Sequence, residues 1–176
     1  MDFNADFFSL FDLPVAFGLD GAQLDARFRD AAAQVHPDRY AAAPEGERRL
    51  AMQWSTRVNE AYQALKKPLP RAQYLLKLAG QEVGAENNTA MPVDFLMEQM
   101  EWREQVQEAR LAGQSDALEA LLDKLQDRLD GDYRTLGELL DQRRDYAAAA
   151  ALVRKLMFLE KLQSDIDEAL VALEEQ

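Results

Sequence analysis

Residues 24–40 read LDARFRDAAAQVHPDRY, and this stretch decides how the N-terminal part of the chain folds. Apolar side chains recur along it at spacings of four, three and four residues: Leu24, Phe28, Ala31 and Val35. This spacing is typical of the buried face of an amphipathic helix. Pro37 ends that helix, because proline has no N–H to donate and disfavours helical geometry at the preceding residue. We therefore predict a helix over residues 23–35 that stops sharply at His36, with Asp20 as its N-cap.

Two further helices flank this one. Downstream, residues 45–65 carry one apolar face, made of Leu50, Trp54, Val58, Ala61 and Leu65. Upstream, a short aromatic helix before Pro14 contains Phe7, Phe8, Phe11 and Leu13. The chain should therefore form a helical hairpin, with a loop of about eight residues that begins at Pro37.

The tripeptide His36-Pro37-Asp38 at the start of that loop combines three useful properties. Proline fixes the backbone, so its neighbours project at a defined angle. Histidine supplies a planar donor and acceptor, and aspartate supplies a charge that can meet an arginine on a partner. The plainer interpretation is an ordinary helix stop. In its setting between two amphipathic helices, the tripeptide resembles the loop of a J domain, the module with which co-chaperones engage DnaK-type ATPase chaperones.

A docking surface follows from this resemblance. It implies that His36, Pro37 and Asp38 contact the ATPase. Three arginines near the loop could add a positive surface that steers the module toward an acidic partner: Arg27, Arg29 and Arg39. The alternative for each arginine is a solvated surface charge.

The second half of the chain differs from the first in charge. Residues 1–79 hold ten acidic and ten basic side chains, whereas residues 80–176 hold twenty-two acidic and ten basic, which accounts for the net charge of −12. Helical patterns cover 93–111, 116–129 and 146–173, with an expected leucine seam on the last: Leu152, Leu156, Leu159, Ile166, Leu170 and Leu173. We predict an all-α protein with a J domain at 1–79, a linker at 80–92 and a C-terminal three-helix bundle at 93–176.

The helix at 93–111 has two apolar faces. One face holds Phe95, Trp102, Val106 and Ala109, and the nearly opposite face holds Val93, Leu96, Met97, Met100 and Leu111. An outer helix of a bundle needs only one buried face. The second face is therefore either core shared with other elements or an exposed patch for a partner, and its methionines suit a partner surface.

The whole chain resembles the HscB family, the bacterial J-type co-chaperones of iron–sulfur cluster assembly. The resemblance is carried by DFFSLFDLP (6–14), HPDRY (36–40), PLPRAQYLL (68–76), FLMEQ (95–99) and VRKLMFLEKL (153–162). It implies that the J domain docks on the ATPase chaperone HscA and that the bundle binds the cluster scaffold IscU. By matching motif position, the scaffold-binding residues would be Leu96, Met97, Met100, Glu101, Glu104 and Phe158.

This sequence departs from the family's usual pattern at four positions. Arg39 and Tyr40 stand where Lys and Phe are commoner, and Met100 and Trp102 stand where leucine is frequent. The changes at Arg39 and Tyr40 keep charge or shape, and the change at Met100 keeps its apolar character.

Composition excludes several other functions. The chain has no cysteine and one histidine, so we expect no disulfide, no metal site, no cofactor and no catalytic role. Its negative charge argues against nucleic-acid binding. No apolar run approaches the roughly 20 residues of a membrane span. The acidic N-terminus is unlike a signal or transit peptide, so we expect a cytoplasmic protein. The alternatives are a general J co-chaperone with another client and a helical structural protein.

Overall fold

The computed structural model describes residues 4–81, 83 and 91–174, and every regular element among them is helical, as predicted. The elements are α1 (Phe7–Leu10), α2 (Gly21–Val35), a 3-10 turn (Pro37–Tyr40), α3 (Glu45–Lys66), α4 (Pro68–Leu78), α5 (Val93–Leu111), α6 (Ser115–Gly137), a π-helical segment (Glu138–Arg143) and α7 (Tyr146–Glu174). The chain divides into two compact units, Met1–Leu78 and Ala79–Gln176. The predicted linker at 80–92 lies mostly outside the described residues.

The N-terminal unit is built on the α2–α3 hairpin. Asp20 caps α2 as predicted, because its carboxylate accepts the N–H groups of Ala22 at 2.9 Å and Gln23 at 3.4 Å. Phe28 of α2 stacks on Tyr62 of α3 with ring centroids 4.0 Å apart. The remaining core of the hairpin is Leu24, Ala31 and Val35 from α2 with Ala51, Trp54, Val58, Ala61 and Leu65 from α3.

Two details of this unit differ from the prediction. Leu50 lies on the exposed side of α3, and its neighbour Ala51 takes the buried position. The aromatic helix α1 ends at Leu10, and Asp12 then adopts a left-handed backbone conformation with φ +53°. The turn still buries Phe11 and Leu13, so the apolar pattern correctly indicated burial but not the helix end.

The C-terminal unit contains α5, α6 and α7. The sequence suggested that α6 ends near Leu129, although Gly131 and Gly137 left that end uncertain. In the structure α6 extends to Gly137. It continues through Gly131 and Gly137 into the π-helical segment. A glycine in a helix interior costs about 1 kcal/mol. Burial of Leu129 and Leu136 on either side of Gly131 outweighs that cost.

The apolar seam of α7 is also shifted from the predicted one. Leu156, Leu159 and Ile166 are buried as expected, whereas Leu152, Leu170 and Leu173 are only half-buried. The other buried positions are Ala149, Ala150, Val153, Leu162 and Ala169. The prediction favoured large residues, but the buried seam of α7 also contains small side chains such as Ala149 and Ala169.

Candidate functional site

The His-Pro-Asp loop lies at the turn of the α2–α3 hairpin. His36 leaves the helix with φ −60° and ψ 127°, and Pro37 begins the 3-10 turn that runs to Tyr40. This geometry points both polar side chains toward solvent, with His36 57% exposed and Asp38 90% exposed. The loop therefore presents an imidazole and a carboxylate that a partner can reach.

The imidazole of His36 has a defined orientation within the loop. Its Nδ1 accepts the backbone N–H of Asp38 at 3.3 Å and lies 3.6 Å from Oδ2 of the same residue. Because Nδ1 is the acceptor, the neutral ring carries its proton on Nε2. The outward-facing groups are then one N–H donor and one carboxylate, which suits recognition of a polar, arginine-bearing surface.

The two residues after the tripeptide fold back on α2. Nη1 of Arg39 donates to the carbonyl of Ala33 at 3.0 Å, and the hydroxyl of Tyr40 donates to the carbonyl of Gln34 at 3.2 Å. These are carbonyls of the last helical turn, which have no partner within the helix. Sequence reasoning treated Arg39 as a docking charge and missed this contact.

The three arginines near the loop do not share one environment. Arg27 pairs with Asp12 at 3.3 Å across the turn after α1. Arg39 bonds Ala33, as described above, and Arg29 lies exposed on α2. All three side chains are accessible to a partner. Among the contacts of the described residues, Arg27 and Arg39 each have a polar partner, and none is recorded for Arg29.

The second candidate surface is the outward face of α5, which we call the α5 patch. It consists of five apolar side chains between 41% and 81% exposed: Val93, Leu96, Met97, Met100 and Leu111. The opposite face holds the buried residues, namely Phe95, Trp102, Val106 and Ala109. The second apolar face of α5 is therefore exposed and is not part of the core.

Glu101 and Glu104 are exposed, but they occupy different positions around this patch. At about 100° per residue, Glu104 lies between Met97 and Met100, inside the patch. Glu101 lies on the flank that faces α6, where it lines a cleft of about 330 Å³ with Trp102 and Lys124. The acidic rim predicted from the sequence is therefore one carboxylate at the edge and one within the patch.

Contacts with α6 hold the Glu101 flank of α5 in place. Arg128 of α6 bonds Glu98 of α5 at 3.0 Å and also Asp132 on its own helix at 3.0 Å. Lys124 lies 4.9 Å from the ring centre of Trp102. These contacts restrain α5 from one side without covering the patch.

Phe158 of α7 lies on the other flank of α5. Its ring meets Phe95 edge-on, with centroids 5.9 Å apart, and the guanidinium of Arg103 lies 5.2 Å above it. Arg103 lies on the same side of α5 as Leu96, since the two are two turns apart. The structure thus brings Phe158 to the Leu96 edge of the patch. Its ring is half-buried, unlike the exposed methionines.

The described residues contain neither a cluster of His, Asp and Glu that could hold a metal ion nor a helix suited to crossing a membrane. They present an exposed polar loop on one unit and an exposed apolar patch on the other.

Comparison with known proteins agrees with this description. The family model described as the HSCB C-terminal oligomerisation domain matches residues 91–167. A co-chaperone protein HscB homolog of Aromatoleum aromaticum is 53% identical over 174 residues, covering 99% of this chain and 98% of the relative. Another from Paraburkholderia xenovorans is 53% identical over 171 residues, covering 97% of each chain.

Solved structures give the same result. The chaperone HscB from Vibrio cholerae matches with a TM-score of 0.87 and 37% identity, covering 96% of this chain and 99% of that one. The human co-chaperone protein HscB matches with a TM-score of 0.90 and 28% identity, covering 96% and 83%. The chain therefore belongs to the HscB family of co-chaperones, with a J domain followed by a C-terminal helical domain.

Proposed function

We propose that this protein is an adaptor in iron–sulfur cluster assembly. Its C-terminal unit binds the scaffold IscU, and its J domain docks on the DnaK-type chaperone HscA and accelerates ATP hydrolysis there. The observation that carries the proposal is the exposed α5 patch, in a chain that also presents a His-Pro-Asp loop. The protein has no catalytic role of its own and acts in the bacterial cytoplasm.

The chaperone contact rests on the loop geometry. The carboxylate of Asp38 is 90% exposed, and an exposed carboxylate can form a bidentate pair with an arginine of the ATPase. The Nε2–H of His36 adds a directional donor beside it. Arg27 and Arg29 on α2 would then contribute mainly to the rate of encounter with an acidic surface.

The scaffold contact rests on the α5 patch. Exposed apolar side chains flanked by polar groups are typical of protein-binding surfaces. Leu96, Met97 and Met100 would supply the apolar centre, with Phe158 at one edge and Glu101 at the other. Glu104, inside the patch, would pair with a basic group of the scaffold.

Joining both sites in one chain gives the mechanism its efficiency. Once the α5 patch holds IscU and the J domain is docked on HscA, IscU meets HscA within one complex. This raises the effective concentration of IscU at the chaperone. Hydrolysis in HscA then locks the chaperone onto the scaffold and favours cluster release to acceptors.

A single-turnover ATPase assay with His36→Gln tests the chaperone half of the proposal. The variant should lose stimulation of HscA while keeping the melting temperature of the parent, because the His36 side chain is 57% exposed. Undiminished stimulation would contradict the docking role of the loop.

A general J co-chaperone with a different client is the second candidate. The two methionines of the patch favour it to some extent, since flexible thioether side chains adapt to varied partners. A binding assay that compares IscU with an unfolded protein distinguishes the two functions. Preference for the unfolded protein would favour the general co-chaperone.

A further inference from the structure

The structure assigns Arg39 and Tyr40 as positioning residues that fix the His-Pro-Asp loop in its docking geometry, rather than as residues that contact the ATPase through charge. This inference rests on the proposed docking of the loop and concerns how that same site is held. It changes the role of Arg39 that the sequence predicted.

The last turn of α2 needs hydrogen-bond donors from outside the helix. Pro37 stops the helix and cannot donate a hydrogen bond, so the carbonyls of the last turn need donors from elsewhere. Arg39 reaches Ala33 at 3.0 Å, and Tyr40 reaches Gln34 at 3.2 Å. Both bonds span six residues, so they close the loop onto the helix that precedes it.

The closed loop is also bonded to the docking groups themselves. The backbone N–H of Arg39 also donates to the carbonyl of His36 at 3.0 Å. Asp38, the residue between them, donates to the His36 ring. The side-chain bonds of Arg39 and Tyr40 therefore anchor the C-terminal end of the turn, and the imidazole of His36 and the carboxylate of Asp38 lie at its N-terminal end.

The bonds of Arg39 and Tyr40 favour positioning over electrostatic docking. Nη1 of Arg39 is bonded to the carbonyl of Ala33, so the guanidinium is tied to the last turn of α2 although its side chain is exposed. Tyr40 performs the same task with an uncharged hydroxyl. An uncharged side chain thus makes the same kind of bond to the last turn of α2 as the arginine does.

The test uses Arg39→Met and Tyr40→Phe in the full chain, with Arg29→Ala as the reference for an exposed arginine of α2. An exposed hydrogen bond is worth about a two- to tenfold change in an equilibrium. We expect each variant to reduce stimulation of HscA by about that factor. The loss should be the same at low and high salt, whereas any loss from Arg29→Ala should fade as salt screens it.

A second measurement needs no partner. The chain has a single histidine, so the ring resonances of His36 are unambiguous in an NMR spectrum. They should shift in free Arg39→Met and in free Tyr40→Phe, but not in Arg29→Ala. This readout tests the positioning role even if the parent protein fails to stimulate HscA, a result that would count against the proposed function alone.

Two results would overturn the inference. One is an Arg39→Met defect that disappears at high salt, as expected for a docking charge. The other is a His36 spectrum that is unchanged in both variants.

Discussion

Replacing Met97 and Met100 with alanine should abolish most of the affinity for IscU while leaving the fold intact. The two side chains are 58% and 72% exposed, so the free protein gains little stability from them. Full burial of an exposed methionine is worth about 1.5–3 kcal/mol. Scaled by the exposed fractions, the pair could contribute roughly 2–4 kcal/mol to binding, and the retained Cβ atoms of alanine lower that figure slightly.

This free energy corresponds to a loss in affinity of about 30- to several hundred-fold. Isothermal titration of IscU with parent and double variant measures it directly. Thermal unfolding should show little change, because exposed substitutions away from packed features are usually within about 0.5 kcal/mol.

Met52→Ala supplies a matched control. Met52 is 61% exposed, but it lies on α3 in the other unit. The control should bind IscU as the parent does. Equal affinity of the double variant and the control would refute the assignment of the α5 patch as the scaffold-binding surface.

Three further predictions concern other contacts. Asp6→Ala should destabilise the protein by about 1 kcal/mol, since Asp6 caps α1 by accepting the N–H of Ser9 at 2.9 Å. Burial opposes the charge of Asp6, but hydrogen bonds from Ser9 lower its pKa below the ordinary 3.8. Because the pKa of Asp6 is lower in the folded than in the unfolded protein, its charged carboxylate stabilises the fold at pH values above the unfolded pKa. The difference in unfolding free energy between parent and Asp6→Ala, measured in urea, should therefore be full near neutral pH. It should vanish as the pH falls below about 3.8. Tyr133→Phe should lower the free energy of unfolding by about 1–2 kcal/mol in the same assay, because it removes the hydrogen bond to Glu160 that joins α6 to α7. An unchanged urea midpoint would contradict this. Phe158→Ala should weaken IscU binding and also lower the melting temperature, since the ring packs against Phe95; a variant with parental stability would show that this packing contributes nothing.

The sequence predicted the helices and the loop because their signals are local. Helical spacing in α2, the stop at Pro37 and the cap at Asp20 each depend on neighbours within one or two turns. From the sequence alone, exposure of the α5 patch was only one of two alternatives. It depends on which helix faces are covered, and this requires the packing of α6 and α7.

Other features could not be found from the pattern. The return of Arg39 and Tyr40 to α2 depends on the turn geometry after Pro37, which a residue list does not contain. The continuation of α6 past Gly131 reflects packing that overrides local propensity. The position of Phe158 at the Leu96 edge follows from the pairing of α5 with α7, which spacing within one helix does not specify.

The HscA ATPase rate with this protein and IscU together tests the adaptor role most directly. We expect this rate to lie well above the sum of two rates, that of HscA with this protein alone and that of HscA with IscU alone, because the protein delivers the scaffold to the chaperone. A rate equal to that sum would contradict it.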